Sequence, residues 1–498
     1  MRQLSGLDTG FLSAETRTTF LHISSLIVLD TERPDGSRVT VPELRAVLEQ
    51  RMHEIPLSRR RLVEVPLQLD NPYWINDADF DPSFHIRHLA VPAPGGEREL
   101  AELVSHLAAT PLDRNHPLWE AYFIEGLAGG DLAILTKVHH ASVDGVGGIE
   151  LLATLLDPVP EPRAAAPDDW ESEAEPAAAV LLGRAFQRML ERPRRLVRFQ
   201  RNVFESFART NPRAVPFFPL LPLLGNLGTA GIALFSNLLQ PPRTSRPEAP
   251  SLEDPSARIP RTVFNGMISS GRRFAYGSVS LDDVKRIGKA HDGATVNDVV
   301  LAIVAETLRP WLLARGELPA EPLVAMVPVS VRTADETGAM GNQVTMVVSP
   351  IHTHLEDPGE RVRAIHGTMQ RIKEQQAAVP DELLQDFAEF ATPALAALAA
   401  RGAAAMHVVD RIEPLANLTI SNVPGPQFPL YSGGARVRGL WPCSALADGM
   451  GLNVTVVSYD GDVCFGVLGC REQLPDAWEL VDELPRAMER LLGGGRGR

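Results

Sequence analysis

The chain has 498 residues, 44% hydrophobic and 22% charged, enough apolar material for large cores and too balanced for a disordered chain. A mean hydropathy of −0.04 argues against a polytopic membrane protein, and a formal net charge of −14 with pI ≈ 5.5 argues against nucleic acid as a main partner. Three cysteines, Cys443, Cys464 and Cys470, none in a C-x-x-C pair, exclude a disulfide framework or a cysteine-rich zinc module and fit a reducing cytoplasm. No apolar run follows Met1-Arg2-Gln3-Leu4, so no secretory signal is expected.

In chain order, residues 20–29 form a β-rich run, 41–52 and 97–109 read as amphipathic helices, and 131–138 is a short apolar run after Gly129-Gly130 that reads as a buried strand. Residues 161–179 are acidic and rich in Ala and Pro, the composition of an exposed linker. A basic helical segment follows, with Arg184, Arg188 and Arg192 to Arg213 interleaved with Phe186, Phe199 and Phe204. The apolar stretch 214–239 is interrupted by Pro216, Pro219 and Pro222 and by Gly225, Gly228 and Gly231, which argues against a membrane-spanning helix. Two readings of 184–239 stand: a crossover packed against both halves of the protein, or a peripheral contact with a membrane or lipid droplet, where basic and large apolar residues suit an anionic interface.

Beyond 260 the alternation resumes. Strands are expected at 273–281, 323–329, 344–348, 418–421, 451–459 and 463–468. Helices are expected at 281–291, at 295–309 ending before Pro310, at 358–376 and at 477–492. The expected architecture is two α/β halves, 1–160 and 261–498, joined by a long crossover, 161–260.

The sharpest chemical feature is His139-His140-Ala141-Ser142-Val143-Asp144-Gly145, directly after the strand at 131–138. Side chains alternate faces along a strand, so the two histidines point opposite ways and only one can do chemistry. Asp144-Gly145 is turn chemistry that ends the segment. A histidine there sits on rigid backbone with an unperturbed pKa of about 6.5, suited to accepting a proton near neutrality. Paired histidines are also common as plain surface or core residues, and no second histidine–carboxylate cluster completes a metal site.

His139-His140-x-x-x-Asp144-Gly145 resembles the HHxxxDG signature of the CoA-dependent acyltransferase superfamily, which condensation domains of peptide synthetases share. Further blocks resemble the bacterial wax ester synthase/diacylglycerol acyltransferase family. They begin with Leu4-Ser5-Gly6-Leu7-Asp8-Thr9-Gly10-Phe11-Leu12, where Gly6-Leu7 replace a frequent Pro-Met, and Pro111-Leu112-Asp113-Arg114-Asn115-His116-Pro117-Leu118-Trp119-Glu120. Thr295-Val296-Asn297-Asp298, Pro328-Val329-Ser330-Val331-Arg332, Gly341-Asn342, Ser421-Asn422-Val423-Pro424-Gly425-Pro426 and Gly451-Leu452-Asn453-Val454-Thr455 follow in order. The resemblance thus covers nearly the whole chain.

The resemblance implies two chloramphenicol-acetyltransferase-like α/β subdomains with the active site in a tunnel between them. It implies O-acyl transfer from acyl-CoA to diacylglycerol, or to a long-chain alcohol, at a membrane or lipid-droplet surface on the cytoplasmic side. His140 is the implied general base, with no acyl-enzyme; His139 is supporting, and Asp144 with Gly145 holds the loop, Arg332 being the candidate partner of Asp144. Acyl-CoA is a substrate, and no resident cofactor or metal is expected. Asn297, Asp298 and Asn453 are candidates for substrate contact, although helix capping or cross-strand pairing explains them equally. Trp119, Pro424 and Gly425 are structural candidates. Two other classes stay open: a condensation-type enzyme acting on carrier-bound acyl groups, and a non-catalytic lipid-droplet scaffold.

Overall fold

The computed structural model describes residues 1–33, 36–142, 154–168, 170–188, 259–330, 344–376, 402 and 408–493. In the first half the elements run β1 (Arg2–Gln3), α1 (Gly6–Ala14), β2 (His22–Asp30), α2 (Val41–Arg51), β3 (Arg60–Val63) and β4 (Tyr73–Asn76). They continue with α3 (Pro82–His85), β5 (Ile86–Ala90), α4 (Glu97–Ala108), β6 (Trp119–Glu125) and β7 (Leu132–His139). After the crossover come β8 (Arg272–Ser280), α5 (Leu281–Ala290), α6 (Val296–Ala314), β9 (Val324–Ser330), β10 (Val344–Pro350) and α7 (Pro358–Gln376). The chain closes with β11 (Leu418–Val423), β12 (Tyr431–Ser432), β13 (Ala435–Cys443), β14 (Leu452–Tyr459), β15 (Asp462–Cys470), α8 (Trp478–Val481) and α9 (Leu484–Gly493).

The strands form two six-stranded sheets, β12-β13-β2-β7-β6-β5 and β10-β9-β11-β14-β15-β8, beside a small β1-β4-β3 sheet. β7 is buried along its whole length because both faces of its sheet are covered, which is why its sequence is nearly continuous in apolar residues. One face of the first sheet packs on α2 through Ile27, Ile134, Leu44 and Leu48. The other face packs on α4 and on the β8–β15 edge of the second sheet through Leu26, Leu135, Val104, Phe274 and Leu468. Behind the second sheet, α5, α6, α7 and α9 contribute the largest core.

The two halves are interleaved. The division into 1–160, 161–260 and 261–498 needs one correction, since β12 and β13 come from the second half yet complete the first sheet, with Cys443 opposite Ser24 and Trp441 opposite Leu26. Strand pairing across 400 residues leaves no mark in local periodicity. β13 also lies against the second sheet: Trp441 Nε1 donates to the Gly277 carbonyl at 3.2 Å, and its ring meets that of Tyr276 at 4.7 Å. Gly466 is required here, because a Cβ at that position would sit 1.6 Å from the Pro442 carbonyl oxygen.

Two further expectations are corrected. The helix expected to stop before Pro310 runs through it to Ala314. Proline removes the N–H that would bond the Glu306 carbonyl, and Arg490 Nη2 supplies a donor to that carbonyl at 3.3 Å instead. The expected last helix is two, α8 and α9, because Pro485 cannot donate to the carbonyl of Val481. The acidic segment after 160 is exposed, as expected, and its described residues before 178 form no strand or helix; ion pairs fasten it to the first half, Arg163 with Glu54 at 2.6 Å, Asp168 with Arg59 at 2.8 Å and Glu175 with Arg61 at 2.6 Å. Most of 184–239 lies outside the described residues. Among those described, no helix is long and apolar enough to cross a membrane.

Candidate active site

The site begins where β7 ends. His139 is the last strand residue, paired across to His22 of β2, and His140 opens a short 3-10 turn, His140–Ser142. The change of backbone at that point sends the rings to different surroundings. His139 is 1% exposed and sits on the α4 face of the sheet, whereas His140 is half-buried and stacks on Phe11 of α1, ring centroids 4.2 Å apart. The His140 N–H donates to the Leu21 carbonyl at 2.8 Å, which ties the turn to the chain entering β2.

Electrostatics favour a neutral His140. Burial lowers its pKa below the usual histidine value, contact with its own backbone opposes this, and the adjacent His139 lowers it further. An imidazole in that state has a free lone pair for a proton at neutral pH.

His139 is held by a hydrogen bond at one nitrogen and faces a carboxylate with the other. Nδ1 accepts from the Ala141 N–H at 3.0 Å, so the neutral ring carries its proton on Nε2, which lies 3.2 Å from Glu15 Oε1. Burial would raise the Glu15 pKa, but His139, Arg114 at 2.8 Å and the Leu21 N–H more than offset it and bring it to about 2. Glu15 also lines a cavity of about 280 Å³ with Thr9, Ser13, Gln68 and Arg114. That cavity lies on the side of α1 turned away from Phe11.

Below the histidines a buried polar row crosses the sheet. Lys137 Nζ donates to the Thr110 carbonyl at 2.6 Å and lies 3.2 Å from Glu120 Oε2, which also accepts the Tyr122 hydroxyl. Burial pushes the Lys137 ammonium down, Glu120 opposing. Burial and the Lys137 charge bring His22 to about 3, so His22 is neutral.

The other candidates fall elsewhere. Trp119 is a core residue, fully buried, with Nε1 donating to the Ser58 carbonyl at 2.8 Å and its ring stacked on His85. Asp298, a candidate for substrate contact, closes a capping box with Oδ2 on the Thr295 N–H at 2.8 Å and meets His366 Nδ1 at 2.7 Å, while its Oδ1 is buried without a hydrogen-bond partner among the described residues. Asn453 donates to the Ala445 carbonyl at 3.1 Å and accepts from the Thr455 hydroxyl at 2.7 Å. Asn297 is half-buried on the first turn of α6. Gly425 donates its N–H to Ser458 Oγ at 3.1 Å, and a Cβ there would be 2.3 Å from the Ser458 carbonyl oxygen, whereas Pro424 is exposed. Asp144, Gly145 and Arg332 lie outside the described residues. Glu15 escaped the sequence reading because a carboxylate three residues beyond a motif looks like any surface acid.

Two interleaved α/β halves with a histidine opening the turn after a central strand define a chloramphenicol-acetyltransferase-like acyltransferase fold. Solved structures share it. The chain resembles the wax ester synthase/diacylglycerol acyltransferase from Marinobacter aquaeolei VT8 with TM-score 0.66 and 28% identity, over 99% of this chain and 100% of that one. It shares the fold, at 12% identity and TM-score 0.56, with a trichothecene 15-O-acetyltransferase from Fusarium sporotrichioides, over 100% of this chain and 95% of that one. The chain belongs to the wax ester synthase/diacylglycerol acyltransferase family: that family's catalytic domain matches residues 4–300 and its C-terminal domain residues 340–492. A putative diacylglycerol O-acyltransferase from Mycobacterium tuberculosis (strain CDC 1551) is 37% identical over 99% of this chain and 90% of the relative. A probable diacylglycerol O-acyltransferase from the same strain is 34% identical over 97% of each chain.

Proposed function

We propose that the protein transfers a long-chain fatty acyl group from acyl-CoA to diacylglycerol, giving triacylglycerol, and that long-chain alcohols are alternative acceptors giving wax esters. The mycobacterial relatives are named as diacylglycerol O-acyltransferases, which supports diacylglycerol, and the Marinobacter enzyme is named for both wax ester synthesis and diacylglycerol acylation. The observation that carries the mechanism is His140: a ring biased toward its neutral form, stacked on Phe11, at the end of a rigid buried strand. His140 takes the proton of the acceptor hydroxyl as that oxygen attacks the thioester carbonyl. Collapse of the tetrahedral adduct breaks the carbon–sulfur bond, and the imidazolium returns its proton to the departing CoA thiolate. No acyl-enzyme is required, and acyl-CoA is consumed as a substrate. The reaction takes place at a membrane or lipid-droplet surface, where both lipids reside, with the basic segment beginning at Arg184 as the contact.

The test is CoA release from palmitoyl-CoA with dioleoylglycerol or hexadecanol, on wild type and His140→Ala. Dioleoylglycerol drives release, and the variant loses about 10²- to 10⁴-fold while its melting temperature holds. Faster release with hexadecanol would make the enzyme mainly a wax ester synthase. Release with neither free acceptor would sink the acyl-CoA reading in favour of carrier-bound donors.

A further inference from the structure

The turn that carries His140 is held by two backbone N–H groups on either side of its Cα, and both lead back to one carboxylate. The His140 N–H donates to the Leu21 carbonyl at 2.8 Å, and the Leu21 N–H donates to Glu15 Oε1, also at 2.8 Å. The Ala141 N–H donates to His139 Nδ1 at 3.0 Å, and the other nitrogen of that ring lies 3.2 Å from the same Glu15 Oε1. The second oxygen of the carboxylate is fixed by Arg114, which bonds it at 2.8 Å and also donates to the Leu12 carbonyl at 2.6 Å. Glu15 is thus braced against α1 on one side and closes a ring around the His140 backbone on the other.

We infer that Glu15 is a positioning residue for the general base, which rests on the reading of His140 given above. Its charge matters as well as its shape. His139 accepts from the Ala141 N–H only with Nδ1 unprotonated, and an anion facing Nε2 holds the proton there. Without the anion, the tautomer with Nδ1 protonated sets a proton against the Ala141 N–H and frees the turn. A base displaced by about 1 Å from the acceptor hydroxyl can cost on the order of 10²-fold in rate. Neither substrate touches Glu15 in this scheme, so the loss falls on kcat. Arg114 stands in the Pro111-to-Glu120 block, so one motif is tied to another through this carboxylate.

The experiment compares wild type, Glu15→Gln, Glu15→Asp, His140→Ala and the double variant His140→Ala/Glu15→Gln for kcat, both KM values and melting temperature. Glu15→Gln loses about 10- to 100-fold in kcat with KM within about twofold, and Glu15→Asp, which keeps the charge on a shorter arm, recovers part of the loss. The double variant is no slower than His140→Ala, because residues that act through one another are not additive. A Glu15→Gln enzyme with wild-type kcat, or one that changes only KM, overturns the inference; so does a double variant slower than His140→Ala by the full Glu15→Gln factor. If Glu15→Gln does not fold, Glu15→Asp decides, and an unchanged kcat there is equally fatal. Full activity in His140→Ala would instead remove the general-base reading itself, whatever Glu15 does.

Discussion

The two large sheets have the same number of strands but place their buried charges differently. In the first sheet, ionisable side chains sit on the central strands themselves: His22 on β2, Glu120 on β6, Lys137 and His139 on β7 are all buried on one face. In the second, the inner strands β9, β11 and β14 carry no charged side chain and β15 carries only Asp462, at its exposed first position. Arg272 is buried on its edge strand β8, and a larger charge cluster lies in the helix layer behind, where Glu306 of α6 meets the buried Arg361 of α7 and the half-buried Arg490 of α9. The difference separates two uses of a buried charge. The polar row of the first sheet runs along a rigid strand as far as His139, the neighbour that lowers the pKa of His140. A charge cluster between helices closes a defect, here the carbonyl that Pro310 leaves without its N–H. Buried charge alone therefore does not mark a site.

The largest way to break the helix-layer cluster is Glu306→Ala. Arg361 is fully buried, and burial together with Arg490 already brings its guanidinium down to about 10. Removing the carboxylate strands that cation, at a cost of about 3–5 kcal/mol, read as a fall in the denaturant midpoint. Activity per folded molecule stays at the wild-type level. A variant as stable as wild type would show that the cluster is not a brace.

The seam between the sheets is the next target. Gly466→Ala forces a methyl group toward the Pro442 carbonyl oxygen of β13, and overpacking of this kind costs about 1–3 kcal/mol. Because β13 pairs with β2, and β2 with β7, kcat falls along with stability. Loss of stability with unchanged kcat would mean that the exchanged strand does not govern the site.

These two cases also mark how far the sequence could be read. β7, α7 and both histidines were legible, because an apolar run bounded by glycines and a helix opening on Pro358 are local signals. The exchange of β13, the passage of α6 through Pro310 and the binding of the acidic segment to Arg59 and Arg61 were not. Each depends on a partner 100 to 400 residues away, as Arg490 is from Glu306. Glu15 shares that fate: its role appears only when the end of α1, the start of β2 and the end of β7 meet.

The first sheet's polar row also makes a graded prediction with pH. His22 ordinarily titrates near 6.5, and burial, then the charge on Lys137, brings it to about 3 in the folded protein. Below pH 6.5 the unfolded chain therefore takes up a proton that the native state refuses until about pH 3. Stability from this residue is complete above 6.5 and falls as pH drops, by at most about 1.4 kcal/mol per pH unit. Glu15 adds a loss of the same sign, but only below its ordinary 4.5 and down to about 2, so the interval from pH 6.5 to 4.5 isolates the histidine from the carboxylate. Urea midpoints across that interval for wild type and His22→Asn test the assignment, since other histidines contribute equally to both chains. The wild type loses stability more steeply than the variant toward low pH. Parallel slopes would mean that His22 takes up its proton in the native state despite its burial and the nearby Lys137 charge.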